Sequence, residues 1–313
     1  MVDVNDMSVH HFGHFAPDEV TAGRIDWCRQ LPGNWLGKQL AQWQRKRVIR
    51  DLEGPLDLSL DGIKMRVLLV DNVSERNYVF MPWRFDALER NLMLKLLPRD
   101  GVLVDIGANA GIYSCLAASR LKQSGVVVAI EPNPEMVARL QFNLDATMAD
   151  NTEKPRVEIQ AIAVSDETGS MPFYLNPKNL GASSLTNDQQ GRKIEVQSQP
   201  LLDVIEALKL SRIHVLKCDI EGSEDRALVP FFTDAPNHVL PGCVIIEHNP
   251  EQWQQPLLEV IKQRGYVETH RTRMNVVLQQ RRQIKIGETD QTLRKAAKNS
   301  SVAGLACRES CQD

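Results

Sequence analysis

The sequence of 313 residues lacks several features that assign a protein to a class directly. It has no apolar run long enough to cross a bilayer, and its first 15 residues include acidic side chains but no apolar segment of a secretory signal. It also lacks a charge excess, because 37 Lys and Arg stand against 40 Asp and Glu. These absences predict a cytoplasmic protein without a membrane span, and they give no reason to expect a nucleic-acid partner.

Cysteine is also scarce, with six residues and no spacing typical of a disulfide framework. Four of them are scattered along the chain, three within apolar runs, and we expect them to be small buried residues in a reducing compartment: Cys28, Cys115, Cys218 and Cys243. Cys307 and Cys311 lie in a polar C-terminal segment without neighbouring metal ligands. The sequence therefore predicts no metal site.

The distribution of apolar residues predicts three parts. They are an N-terminal helical extension at 1–52, one α/β domain at 53–280 and a polar, flexible tail at 281–313. The first 15 or so residues are expected to be mobile, and Pro32-Gly33 should divide the following helical pattern into two pieces. Alternating residues around Asp61-Gly62 predict a small β-hairpin.

The stretch from 102 to 114 carries the strongest local pattern. An apolar run at 102–104 predicts a buried strand, and Asp105 follows it. The next turn contains Gly107, Asn109 and Gly111, after which a helical pattern begins. Glycines allow the backbone to turn tightly beside a ligand, and the new helix presents unpaired N–H groups there. This unit predicts a nucleotide-type α/β fold.

Glu131 ends the next predicted strand, where a carboxylate can accept hydrogen bonds from two ribose hydroxyls. The dinucleotide pattern G-x-G-x-x-G is not matched, because Asn109 replaces its second glycine and Gly111 comes one residue early. Asp105 would repel a pyrophosphate, but it can accept a hydrogen bond from a cationic amino-acid ligand. The pattern favours S-adenosylmethionine (SAM), while NAD(P) and a ligand-free structural unit remain alternatives.

Three further strand ends should reach the same edge of the sheet. A strand predicted at 157–164 places Ala163 and Asp166 beside the adenine, although Asp166 also suits a simple turn. A strand at 213–218 leads into Asp219 and Glu221.

The strand at 243–246 leads into Glu247 and His248, so an acid and a histidine arrive at that same edge. Before the glycine turn, Asp86 and Glu89 have the spacing of a helix N-cap and its capping box.

With these residues placed, the chain resembles the FkbM family of SAM-dependent methyltransferases. The likeness is carried by DIGANAGIYS (105–114), AIEPNPEM (129–136), AVSDETG (163–169), GASSL (181–185), KCDIEGSE (217–224) and VIIEHNP (244–250). The resemblance implies a class I methyltransferase (Rossmann-like) fold. Such a fold is a doubly wound, mostly parallel seven-stranded sheet with an antiparallel last strand. It also implies O-methylation of a hydroxyl on a sugar or secondary metabolite.

Methyl transfer from a sulfonium needs an aligned acceptor oxygen, and a general base can assist it. His248 suits that task at neutral pH, with Glu221 and Asp219 as further candidates. A divalent metal held by Asp219, Glu221 and Glu247 is the alternative to the metal-independent reaction that we expect. A non-catalytic SAM-fold binding protein and an NAD(P)-dependent sugar-modifying enzyme are the other classes left open, as is the oligomeric state.

Overall fold

A seven-stranded sheet forms the centre of the protein. It is seen in a computed structural model that describes residues 9–52, 54–176, 179–183, 185 and 192–281. With strands numbered in chain order, the order across the sheet is β5 (Arg156–Gln160), β4 (Val126–Ile130), β3 (Val102–Ile106), β9 (Val215–Cys218), β10 (Cys243–Glu247), β12 (Asn275–Gln280) and β11 (Tyr266–Arg271). β12 runs antiparallel to both of its neighbours, β10 and β11, and the other four neighbouring pairs of this sheet are parallel. The predicted doubly wound, mostly parallel sheet with an antiparallel last strand is confirmed.

Helices cover both faces of this sheet because side chains along its strands alternate between two apolar cores. Leu103 belongs to one core and Val104 to the other. The first face carries α4 (Ala87–Leu96), α5 (Ile112–Arg120) and α6 (Pro134–Met148), and outside them α1 (Glu19–Gln30), α2 (Trp35–Arg50) and α3 (Val73–Phe80). The second face carries α7 (Leu201–Ala207), α8 (Glu224–Asp234) and α9 (Leu257–Gln263). None of the described helices is long and apolar enough to span a membrane.

Two smaller sheets flank the central one. The predicted hairpin is present as β1 (Leu56–Leu60) and β2 (Ile63–Val67), joined through Asp61 and Gly62, which both have positive φ angles of 52° and 83°. A three-stranded sheet contains β6 (Ala163–Val164), β7 (Gly169–Leu175) and β8 (Arg192–Gln199).

The prediction of one strand at 157–164 is wrong. The central strand β5 ends at Gln160, and β6 pairs in parallel with β8 in the smaller sheet. Ile162, Ala163 and Val164 line a cleft, so the chain leaves the central sheet where it reaches that opening.

The N-terminal segment at 9–16 is held against the hairpin, which contradicts the prediction of a mobile start for these residues. The backbone N–H groups of Gly13 and Phe15 donate to Asp57 Oδ2 at 2.7 and 3.1 Å. Buried Arg66 pairs with the same carboxylate and donates to the carbonyl oxygens of His10 and His11 at 2.9 and 2.8 Å. The bonds from Gly13 and Phe15 to Asp57, and from Arg66 to the carbonyls of His10 and His11, join residues more than 40 positions apart, so a local pattern could not reveal them.

Four cysteines in the described part of the chain are free and buried, as predicted. Residues 1–8 and 282–313 lie outside the described residues, and with them most of the predicted tail, Cys307 and Cys311.

Candidate active site

A cleft opens at the carboxyl ends of β3, β4 and β9, and we call it the inner cleft. Six of the residues predicted for the site line it together: Gly107, Asn109, Glu131, Ala163, Asp219 and Glu221. The side chain of Tyr113 and the loop residues Leu180 and Gly181 complete part of the wall. The carboxyl ends of neighbouring parallel strands thus bring sequence-distant groups into one opening.

The glycine turn contains positive backbone φ angles, which glycine adopts more readily than other residues. Gly107 and Gly111 have φ angles of 73° and 93°, and Asn109 between them has a φ of 53°. A Cβ atom at position 107 would lie 1.9 Å from the carbonyl oxygen of Asp219. The close approach of the β3 and β9 ends therefore depends on the missing side chain at Gly107, and Gly111 leads directly into α5.

Glu131 holds the glycine turn by its carboxylate. Its Oε2 accepts from the backbone N–H of Asn109 at 2.8 Å, and its Oε1 accepts from that of Asn133 at 2.9 Å. Burial raises the pKa of this carboxyl to about 7, against the opposing effect of these hydrogen bonds. Since a carboxylate oxygen can accept more than one hydrogen bond, Glu131 retains acceptor capacity toward the cleft that it lines.

An ion cluster in which Lys217 and Asp105 are buried lies beside the turn. Lys217 Nζ is 3.2 Å from Asp219 Oδ2 and 3.7 Å from Asp105 Oδ1, while Ser114 Oγ donates to Asp105 Oδ2 at 2.7 Å. Burial opposes the charge on Lys217, yet the carboxylates of Asp219 and Asp105 raise its pKa above the ordinary value. Burial raises the pKa of Asp105. Asp105 is not among the residues that line the inner cleft. Among the described contacts, it is connected to the cleft by its ion pair with the lining residue Lys217.

Lys217 was not identified from the sequence. The available signal was a charged residue inside the otherwise apolar strand Val215–Cys218, where lysine is rarely buried without a partner.

Next to the inner cleft, and sharing Asp219 and Glu221 with it, lies a second cavity that we call the outer cleft. Five carboxylates line it: Asp86, Glu89, Asp219, Glu221 and Glu247. Burial, followed by the charge of Asp219, raises the pKa of Asp86 to about 6 and that of Glu221 to about 7. The same two causes raise the pKa of Glu247 further. Carboxyl groups that titrate near neutrality can exchange protons with a bound hydroxyl.

The prediction of a capping box at Asp86 and Glu89 is wrong, although α4 does begin at Ala87. Asp86 has a φ of 44° and makes no side-chain cap. Its carboxylate accepts from Tyr113 Oη at 3.2 Å and from Asn275 Nδ2 at 3.1 Å. Glu89 accepts from Thr272 Oγ1 at 2.7 Å and from the same Asn275 side chain. These partners are distant in sequence and turn both acids toward the outer cleft.

A short loop at 179–183 packs onto the glycine turn, and we call it the covering loop. The Leu180 N–H donates to the carbonyl of Asp71 at 2.8 Å, and Asn72 Nδ2 donates to Asn109 Oδ1 at 2.7 Å. A Cβ atom at Gly181 would lie 2.3 Å from Asn109 Nδ2. The covering loop therefore approaches the glycine turn closely. Asn72, which was not identified from the sequence, helps to hold the side chain of Asn109 in that turn.

The loop after β9 positions Glu221 through its neighbour Glu224. Glu221 and Gly222 have φ angles of 55° and 97°, and Glu221 is in a conformation that side chains rarely adopt. Glu224 Oε1 accepts from the N–H groups of Ile220 and Gly222 at 3.0 and 3.1 Å, and its Oε2 accepts from Trp253 at 2.8 Å. These hydrogen bonds hold the loop that carries Glu221 in place.

Besides Asp105 and Gly111, two predicted site residues line neither cleft. His248 Nε2 is 2.7 Å from the guanidinium of Arg271, and burial together with that charge lowers the pKa of the imidazole. Asp166 forms an ion pair with Arg226 at 2.7 Å. Neither is among the residues that line the inner or the outer cleft. Their roles stay predictions.

Metal ligation was an open alternative for Asp219, Glu221 and Glu247. Within the residues that the structure describes, no three His, Cys, Asp or Glu side chains are arranged so that they could hold a metal ion.

Part of this chain is similar in sequence to known methyltransferases. Residues 105–268 match the sequence model of the Methyltransferase FkbM domain. Hexuronic acid methyltransferase AglP of Haloferax volcanii is 27% identical over 133 residues, covering 42% of this chain and 51% of AglP. Methyltransferase 1 of Beauveria bassiana is 25% identical over 147 residues, covering 41% of this chain and 57% of that protein. The chain thus spans little more than half the length of these relatives.

Among solved structures, a methyltransferase from Geobacter sulfurreducens aligns with 84% of this chain and 96% of its own. The TM-score is 0.36 and the sequence identity is 15%.

Proposed function

Because this chain belongs to the FkbM family of methyltransferases and uses SAM as its cofactor, we propose that it methylates a hydroxyl group of a sugar or secondary metabolite. The observation that carries the proposal is the junction of the two clefts. The inner cleft holds the glycine turn and Glu131, whereas the outer cleft holds carboxylates, and Asp219 and Glu221 border both.

The residues of the inner cleft fit SAM. Gly107 and Gly181 line the cleft without side chains, and Glu131 has acceptor capacity for ribose hydroxyls. Ala163 and Asp166 stay the proposed adenine-side residues. Asp105 stays a proposed cofactor-side residue; its Oδ1 has no hydrogen-bond partner among the described residues but lies 3.7 Å from the ammonium group of Lys217. When bound, SAM supplies an activated methyl group.

The chain's own residues would orient the acceptor and take up its proton. Alignment of an acceptor oxygen with the methyl group can contribute roughly 7–11 kcal/mol. Of the three proposed catalytic groups, we place Glu221 first as the base, since it borders both clefts and titrates near neutrality. The other two candidates come after Glu221, because Asp219 is ion-paired with Lys217 and His248 contacts the guanidinium of Arg271.

The acceptor is proposed from the lining of the outer cleft. Carboxylates accept hydrogen bonds from sugar hydroxyls, and Arg84 and Arg273 also line the cavity. Guanidinium groups there would suit an acidic sugar, and AglP is named for hexuronic acid. A screen should therefore compare glucuronic and galacturonic acid derivatives with neutral sugars, by the release of S-adenosylhomocysteine from SAM.

The cofactor site is tested by calorimetric titration of S-adenosylhomocysteine into the wild type and Glu131→Ala. Loss of charge-assisted hydrogen bonds typically costs about 1.5–3 kcal/mol, so the variant should bind roughly 10- to 150-fold more weakly. Glu153→Ala, which removes an exposed acid paired with Lys122, should bind as the wild type does.

Absence of binding to the wild type would contradict the proposed cofactor site and lead to titration with NAD(P). Binding without methyl transfer to any acceptor would instead favour a non-catalytic SAM-fold binding protein.

A further inference from the structure

The outward side of α2 combines exposed tryptophans with basic residues. Trp35, Leu36 and Trp43 are 73%, 57% and 53% exposed. Gly37, Ala41 and Val48 occupy the opposite, buried side of the same helix. We call the outward side the tryptophan face and define it by Trp35, Leu36, Gln39, Trp43, Lys46 and Arg50, all of which are exposed. Soluble surfaces rarely keep such apolar groups together without a partner.

The apolar exposure is concentrated in this part of the molecule. In the described residues, five of the nine exposed large apolar side chains belong to the adjacent helices α1 and α2: Val20, Trp27, Trp35, Leu36 and Trp43. The concentration distinguishes this region from the scattered exposed apolar residues that are usual on a protein surface.

The charge of α2 identifies the kind of partner. Between Trp35 and Arg50 the helix has five basic residues and no acidic one: Lys38, Arg45, Lys46, Arg47 and Arg50. The guanidinium of Arg47 lies 4.4 Å from the ring centre of Trp43, so charge and aromatic surface are presented together. A symmetric pairing of two copies through this face would bring like charges together. An anionic bilayer provides opposite charge for the basic groups and an interface suited to tryptophan and leucine.

We propose that the tryptophan face binds the surface of an anionic lipid bilayer. The helix would lie in the plane of the interface, with Trp35, Leu36 and Trp43 among the headgroups and the basic side chains beside lipid phosphates. Gly33, two residues before Trp35, packs against the ring of Trp83, which lines the outer cleft. The loop before α2 therefore contacts a residue of the outer cleft. This surface is independent of the reaction proposed above.

The test is sedimentation of the full chain with vesicles, together with tryptophan fluorescence. We expect binding to vesicles of phosphatidylcholine and phosphatidylglycerol, with a blue-shifted emission, and weak binding to phosphatidylcholine alone. Rising salt should weaken binding because it screens the basic groups. Lys46→Gln and Arg47→Gln should each weaken it about fivefold. Trp35→Ala combined with Trp43→Ala should weaken it at least as much.

Arg120→Gln, which removes an exposed charge at the end of α5, is the matched control and should bind as the wild type does. Unchanged S-adenosylhomocysteine affinity would show that the α2 variants fold. Equal binding to both vesicle types would overturn the proposal, as would a lack of effect of the α2 variants. A dimer that the tryptophan variants dissociate, without vesicle binding, would assign the face to a second copy, and preferential binding of RNA would assign it to nucleic acid.

Discussion

Replacement of Lys217 by methionine is expected to lower the free energy of unfolding by about 3–5 kcal/mol, because it leaves the buried carboxylate of Asp105 without its cation. Lys217 lies between Asp105 and Asp219 and is only 6% exposed. The methionine has a similar length, so the cavity left behind is small and the change isolates the charge. Urea unfolding followed by circular dichroism measures the loss.

The same variant should bind S-adenosylhomocysteine more weakly, since Lys217 joins the ends of β3 and β9. Its Nζ also lies 3.5 Å from the carbonyl oxygen of Gly107 in the glycine turn. Adding Asp105→Asn should restore part of the stability, because the variant then has one unpaired carboxylate fewer.

Lys122→Met is the control for loss of a lysine, because the pair between Lys122 and Glu153 is exposed and should contribute little. If Lys217→Met unfolded at the same urea concentration as the wild type, the buried cluster would not stabilise the fold. If the Asp105→Asn addition gave no recovery, the loss would not arise from unpaired charge.

The local parts of the site were predictable from the sequence. Strand β3, the glycine turn and Glu131 were identified because each depends on residues adjacent in the chain: an apolar run, glycines at positive φ and a strand end. The meeting of Asp219 and Glu221 with that turn was also predictable, because parallel strands deliver their carboxyl ends to one edge.

The parts that failed depend on contacts between distant segments. Asp86 has the sequence pattern of a helix cap, yet Tyr113 and Asn275 provide its hydrogen bonds. The segment at 9–16 is held in place by the buried pair of Arg66 and Asp57. Propensity and periodicity report on neighbours in sequence, so partners more than 25 residues away remain hidden.

Glu221→Gln is expected to lower the turnover number for methyl transfer by about 10²–10⁴-fold, the usual contribution of a general base. The glutamine keeps the size and hydrogen-bonding capacity of the side chain but cannot take up the hydroxyl proton. Because Glu221 borders the inner cleft as well, S-adenosylhomocysteine affinity should be measured in parallel and should change far less than turnover.

The pH dependence separates Glu221 from His248. Burial and the charges of Asp219 and Glu224 raise the pKa of Glu221 to about 7, and the base must be deprotonated to act. The wild-type kcat/KM, measured with the acceptor that the sugar screen identifies, should therefore rise with pH up to about 7 and then level off. His248→Ala should keep this profile, because His248 is paired with Arg271 and is not among the residues lining either cleft.

Glu221→Gln should lose the rise along with most of its turnover. The reverse pattern, with near-normal turnover in Glu221→Gln and a flat, low profile in His248→Ala, would make the histidine the base. It would also mean that the ring leaves Arg271 when the acceptor binds.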